Sequence, residues 1–214
     1  MLESIVINTS IFIPLVPIIL GVLKYRKLTV IQNLLFWMIV FIASNQFLAE
    51  YLESHILNLN KTMPFYRVYI LLEFVFLSFI FKKLLNQRKK NFFINSILIL
   101  FTIIWLYLFL TGNKMYNYPT YLLFSEGIII LLYAANYFQK TFKEGVVVNL
   151  LNVSGFWISF GLIMYFASNT LLFLFGEFVT QLSNASFSLI WTVHGIITIL
   201  LYISYAIALR CKQE

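Results

Sequence analysis

A chain of 214 residues that is 61% hydrophobic and only 11% charged, with a mean hydropathy of +0.89 and a net charge of +7, is not a water-soluble globular domain. Such domains carry about 25% charged residues. The composition also excludes a disordered chain and a nucleic-acid binder, because the 15 basic residues fall into short breaks between apolar runs and not into one patch.

A membrane-spanning helix needs about 20 mostly apolar residues, and seven stretches qualify. The first, about 5–23, is expected to bend at Pro14 and Pro17. It lacks a basic leading region and runs directly into Lys24, Arg26 and Lys27, so it is read as a retained helix and not as a signal peptide. The second, about 30–53, places Gln46, Glu50 and Glu53 at spacings of four and three, on one helical face. Glu53 is expected to pair with Lys61 or Arg67 at the membrane surface, whereas Glu50 lies one turn deeper. His55 is placed in the loop that follows.

The third stretch, about 65–82, carries Tyr66, Tyr69 and Glu73 on one face. At about 1.5 Å per residue, Glu73 lies roughly 12 Å below the outer surface. A carboxyl at that depth is expected to hold its proton unless a cation or several donors face it. The fourth, about 92–111, is apolar all round, as in Ile97-Leu98-Ile99-Leu100, which excludes an alternating barrel strand. The fifth, about 119–138, puts Glu126 roughly 10 Å deep by the same rise, with Tyr133 two turns further on. The sixth, about 147–175, supplies Gly161, Tyr165, Ser168 and Asn169. The seventh, about 186–208, supplies His194 with Thr198, Tyr202 and Tyr205 behind it.

Alternate breaks between the stretches hold 12 basic residues on one side and three, Lys61, Arg67 and Lys114, on the other. Cytoplasmic loops carry the excess, so the expected fold class is an all-α, polytopic transmembrane seven-helix bundle with the N-terminus outside and the C-terminus cytoplasmic. The linkers leave no room for a second domain, and residues 1–214 are read as one. The basic loop Lys82 to Lys90 reads as a topology determinant that touches anionic lipid.

Ionisable side chains in hydrocarbon cost about 2.5–3.5 kcal/mol each on insertion scales, which makes each a candidate for function. Glu50, Glu73, Glu126, Asn169 and His194 come from five stretches and converge on the outer half of the bilayer, with Tyr69, Tyr165 and Thr198 on the same faces. Two readings stand side by side. On one the groups are interhelical glue at about 0.6 kcal/mol per bond; on the second they line an outward-facing polar cavity that binds a small molecule. On the second reading the cytoplasmic loops report occupancy to a separate signalling partner. A transporter or an enzyme acting on a lipophilic substrate in the same cavity is the rival.

The residues call for no cofactor. A retinal Schiff base needs a core lysine, and none occurs between 186 and 209. Zinc catalysis needs about three protein ligands; with His55 in a loop, His194, Glu73 and Glu126 could supply them by geometry but lack any paired-His spacing of a zinc site, and the single Cys211 excludes an internal disulfide. Inverted repeats of a carrier are not evident between the first three and last three stretches.

The segments Tyr66-Arg67-Val68-Tyr69-Ile70-Leu71-Leu72-Glu73-Phe74, Phe156 to Phe166, and Ile190-Trp191-Thr192-Val193-His194 resemble a group of small seven-span bacterial membrane proteins of unassigned activity. The resemblance covers most of the chain. It implies a bacterial inner (cytoplasmic) membrane location, in some members beside two-component sensor kinases, and it implies no catalytic residue.

Overall fold

The computed structural model describes residues 6, 9–55, 59–111, 119–145, 149–175, 178 and 183–211, and these form seven α-helices and no strand. They are α1 Leu15–Lys24, α2 Val30–His55, α3 Leu59–Leu85, α4 Arg88–Leu110, α5 Thr120–Glu144, α6 Ser154–Leu174 and α7 Asn184–Arg210. Six helical segments are long and apolar enough to cross a membrane: Thr9–Lys27, Val30–Leu52, Arg88–Leu110, Thr120–Lys143, Ser154–Leu174 and Ser186–Arg210. Large apolar side chains cover their outer faces, such as Ile99, Ile103 and Leu110 on α4. A surface of that kind suits hydrocarbon and not water. The chain is an all-helical membrane protein.

Where the helices begin and end follows local chemistry more than hydropathy. The first segment breaks at Ile13–Pro14, where Val16 N–H reaches back to Ile13 O and α1 restarts at Leu15. Pro14 fixes φ and offers no N–H, so the turn forms where the sequence places it. α3 starts six residues earlier than the apolar run and takes Pro64 into its interior. His55 is the last residue of α2 and not part of a loop. α5 ends at Gly145, whose φ of 62° is the left-handed closure that glycine adopts freely. α6 starts later than expected. Asn149 accepts from Leu151 N–H and sets up a 3₁₀ turn over Leu150–Asn152, and extended Val153 then leads into the helix.

The packing closes a ring. α1 lies between α2 and α7, α2 packs on α3, α3 on α5, α5 on α6 and α6 on α7, with α2 also touching α6 and α7. α4 stands outside the ring against α3. There Trp105 donates from Nε1 to Arg67 O at 2.8 Å, and Phe101 lies against Phe74 with ring centroids 4.1 Å apart. The ring is filled by Met38, Ile39, Ile70, Leu77, Ile158 and Leu162, each fully buried.

One end of the ring carries the basic residues and is tied by side-chain caps. Thr29 and Gln32 form a capping box at the start of α2. Gln32 N–H donates to Thr29 Oγ1 at 3.2 Å, and Thr29 N–H donates to Gln32 Oε1 at 3.0 Å. The amide nitrogen of the same Gln32 donates to Ala208 O at 2.9 Å and Cys211 O at 3.2 Å. Lys24 Nζ donates to Arg210 O at 3.1 Å. The last carbonyls of α7 are thus satisfied by α1 and α2, and Lys24 places positive charge at the negative end of the helix dipole. Likewise Lys140 of α5 donates to Leu84 O near the end of α3 at 3.1 Å.

The α1–α2 contact depends on Gly21, where a Cβ would sit 2.2 Å from Phe36 Cδ2. The Phe36 ring, 5% exposed, stands between Tyr25 and Trp37 with centroids 5.8 and 5.4 Å away. Gly21→Ala is therefore expected to cost about 1–2 kcal/mol through overpacking, read as a lower midpoint of thermal unfolding in detergent. An unchanged midpoint would mean that α1 is not fixed against α2.

Candidate functional site

The polar residues buried inside the ring form two groups joined by Tyr165. The first is acidic. Glu73 on α3 is 4% exposed and Glu126 on α5 is fully buried, and the two interact electrostatically. The Tyr69 hydroxyl, one turn before Glu73, hydrogen-bonds its carboxyl. Tyr165, Tyr202 and Tyr205, from α6 and α7, lie close enough to interact with Glu73 or Tyr69, and Tyr205 also with Glu126. Neither oxygen of Glu126 has a hydrogen-bond partner, nor does the Tyr205 hydroxyl. The backbone approaches closely at this level. A Cβ on Gly127 would fall 2.8 Å from Thr170 Oγ1 of α6, so glycine next to Glu126 is what lets α5 and α6 meet.

The second group surrounds His194. Its Nδ1 lies 2.8 Å from Asn169 Oδ1, and the rings of Trp191, Tyr165 and Phe173 stand around it with centroids 5.2, 5.9 and 6.3 Å away. Asn169 is 1% exposed and donates from Nδ2 to Tyr165 O at 2.8 Å. That bond fixes the orientation of the amide, since only the nitrogen can donate to a carbonyl. Asn169 Oδ1 therefore accepts from His194, and in the neutral ring the proton sits on Nδ1 while Nε2 keeps its lone pair. The indole Nε1–H of neighbouring Trp191 has no partner. Histidine ¹⁵N spectra of the labelled protein are expected to show an Nδ1–H tautomer; an Nε2–H tautomer would reverse this assignment.

The structure groups Tyr69, Glu73 and Glu126 on one side of Tyr165, and Asn169 with His194 on the other. Thr198 sits one turn past His194, partly buried, and spends its hydroxyl on His194 O at 2.8 Å. Glu50 does not join them. It is exposed, because the buried face of α2 at that level is formed by Ala49. The sequence reading ranked Tyr202 and Tyr205 behind the charged residues, although their spacing from His194 already put them on its face. It missed Gln32 altogether, whose signal was the Thr-x-x-Gln spacing before an apolar run. Lys114 and Lys212 lie outside the described residues, as do the side chains of Glu53 and Lys61.

Among the described residues no three His, Cys, Asp or Glu side chains gather as a metal-binding group. The open depression bordered by Thr9, Phe12, Ile13 and Val16 is apolar and flanks the first segment, away from the acidic pair. Compared with protein-family models, curated proteins and solved structures, the chain finds no match in any of the three.

Proposed function

We propose that all seven helices cross the bilayer, N-terminus outside, and that the protein is a receptor-like sensor binding a small molecule within the ring and passing its occupancy to a separate cytoplasmic partner. The observation that carries this reading is the convergence of Glu73, Glu126, Tyr165 and Tyr205 from α3, α5, α6 and α7, nearly or wholly buried away from the lipid-facing surface. Structural glue would satisfy its own polar atoms, since buried groups are as a rule hydrogen-bonded. Here both oxygens of Glu126 and the Tyr205 hydroxyl are left over. Atoms of this kind are what a ligand engages.

The direct test is native mass spectrometry of the purified protein. A non-lipid adduct on the wild type that is lost in Glu73→Gln and His194→Phe supports the reading. An adduct pattern identical in all three overturns it. Orientation rests on the basic end of the ring being cytoplasmic. With Cys211→Ser as background, a cysteine at position 114 is expected to react with an impermeant thiol reagent in intact cells and one at position 87 to remain unlabelled. Labelling at 87 alone would invert the topology.

A second reading, a carrier, is favoured by one observation. Ser78, Tyr133 and Ser159 place further buried hydroxyls beyond the acidic pair, Ser78 and Tyr133 within hydrogen-bonding reach of each other. Accumulation of a substrate in sealed proteoliposomes would displace the receptor reading in its favour.

A further inference from the structure

The polar side-chain atoms of the acidic group are carboxyl oxygens and hydroxyls, and the unpartnered N–H of Trp191 belongs to the separate His194 group. Glu73 and Glu126 bring carboxyl oxygens, and His194 keeps a lone pair on Nε2. No Lys or Arg occurs in α6, in α5 before Lys140, or in α7 before Arg210, both at the basic end. Arg67 precedes Glu73 by six residues, about one and two-thirds turns, which puts it on another face of α3. Arg67 already has an interaction of its own.

Glu126 is fully buried and neither of its oxygens is hydrogen-bonded, while Tyr205, 1% exposed and within electrostatic reach of it, has an unpartnered hydroxyl on a different helix. Protonation alone does not resolve this. A protonated Glu126 would bring an O–H donor into a site where no protein atom accepts it, and the Tyr205 hydroxyl would stay without a protein partner. A cation resolves both, because it neutralises the carboxylate and takes hydroxyl oxygen as a further ligand.

We propose that Glu126, Glu73 and Tyr205 bind a compact monovalent cation, either a sodium ion or the ammonium head of an amine. This rests on the ligand-binding reading above and gives that ligand its charge. With one proton held between the two carboxyls the pair carries a single negative charge and suits a singly charged guest, and two carboxyls fall short of the about three or four strong protein ligands that a transition metal takes. The two sources use the surroundings differently. Sodium would employ oxygen atoms only, whereas an amine would also meet the ring of Tyr165, whose face attracts cations.

The test uses the full-length protein in detergent at pH 8, with ionic strength held constant by choline chloride, whose bulky head cannot bring its charge between the oxygens. Sodium chloride and ethylammonium chloride are titrated in separate arms and thermal unfolding is read. At a hundredfold excess over Kd, a saturable rise in Tm of about 5–10 °C is expected in at least one arm. The arm that responds identifies the source, and a response in both leaves the shared chemistry in place. Glu126→Gln and Glu73→Gln should still melt cooperatively and should lose the rise. Tyr205→Phe, which keeps the ring and the packing, should raise the half-saturating concentration about tenfold. No rise in either arm, or a rise that persists in Glu126→Gln, overturns the proposal. A neutral or acidic molecule found bound by mass spectrometry and lost from the variants leaves the receptor reading standing and removes the cation.

Discussion

Glu126→Met is expected to make the protein more stable, by about 1–3 kcal/mol, in the absence of added cation. The side chain is fully buried and both of its oxygens lack partners. Burying a polar group without compensation costs about that much, and replacing it by an apolar group of the same shape returns the cost. Methionine is close to glutamate in length and volume and adapts its rotamers to an irregular space. For a chain of this size the gain corresponds to a Tm rise of roughly 2–4 °C per kcal/mol. The same variant should lose every response to sodium and ethylammonium. Stability gained where a response is lost marks a residue kept for binding and not for folding. A loss of 1 kcal/mol or more on this substitution would show that the carboxyl is already satisfied and that the fold depends on it.

The second large effect is expected at Gln32, far from the acidic pair. Its amide oxygen accepts from Thr29 N–H and its amide nitrogen donates to Ala208 O and Cys211 O, so both amide hydrogens and the oxygen are engaged by a side chain that is 1% exposed. Gln32→Glu keeps the shape and the acceptor but removes the donor, and it turns a carboxylate oxygen toward the carbonyls that end α7. Lost hydrogen bonds and repulsion from the negative end of the dipole together should cost about 2–4 kcal/mol at pH 8. Thermal unfolding of the variant beside Gln32→Met separates the two contributions, since Met loses the bonds without adding the charge. If Glu and Met prove equally mild, the α2–α7 tie contributes nothing measurable.

The helices were legible because hydropathy responds to the bilayer over about 20 residues, and α4 and α7 fall close to where the apolar runs place them. Helix ends were less legible. A helix ends where its backbone groups find caps, as at Gly145 and Asn149, and neither is visible in an average over apolar residues. The site was partly legible for a similar reason. Depth along each helix follows from counting residues, which put Glu73 near Glu126 and Asn169 near His194, although the two pairs form separate groups. Rotation about each helix axis is fixed by packing, which the count does not contain, and Glu50 on the exposed face of α2 is the consequence. Tyr205 was hidden differently. A tyrosine near a helix end is ordinary in a membrane protein, and only the neighbours contributed by α3 and α5 distinguish it.

The fastening of α7 by Lys24 and Gln32 has a mechanical side. A rod anchored at one end moves as a lever, with displacement proportional to the distance from its pivot. If the pivot is set at Arg210, Tyr205 stands about 8 Å along the shaft and His194 about 24 Å. A tilt that shifts Tyr205 by a given amount therefore shifts His194 roughly three times as far. The anchored end meanwhile twists rather than travels, and the strand of chain it turns against is the Lys24 to Lys27 segment through which α1 passes into α2.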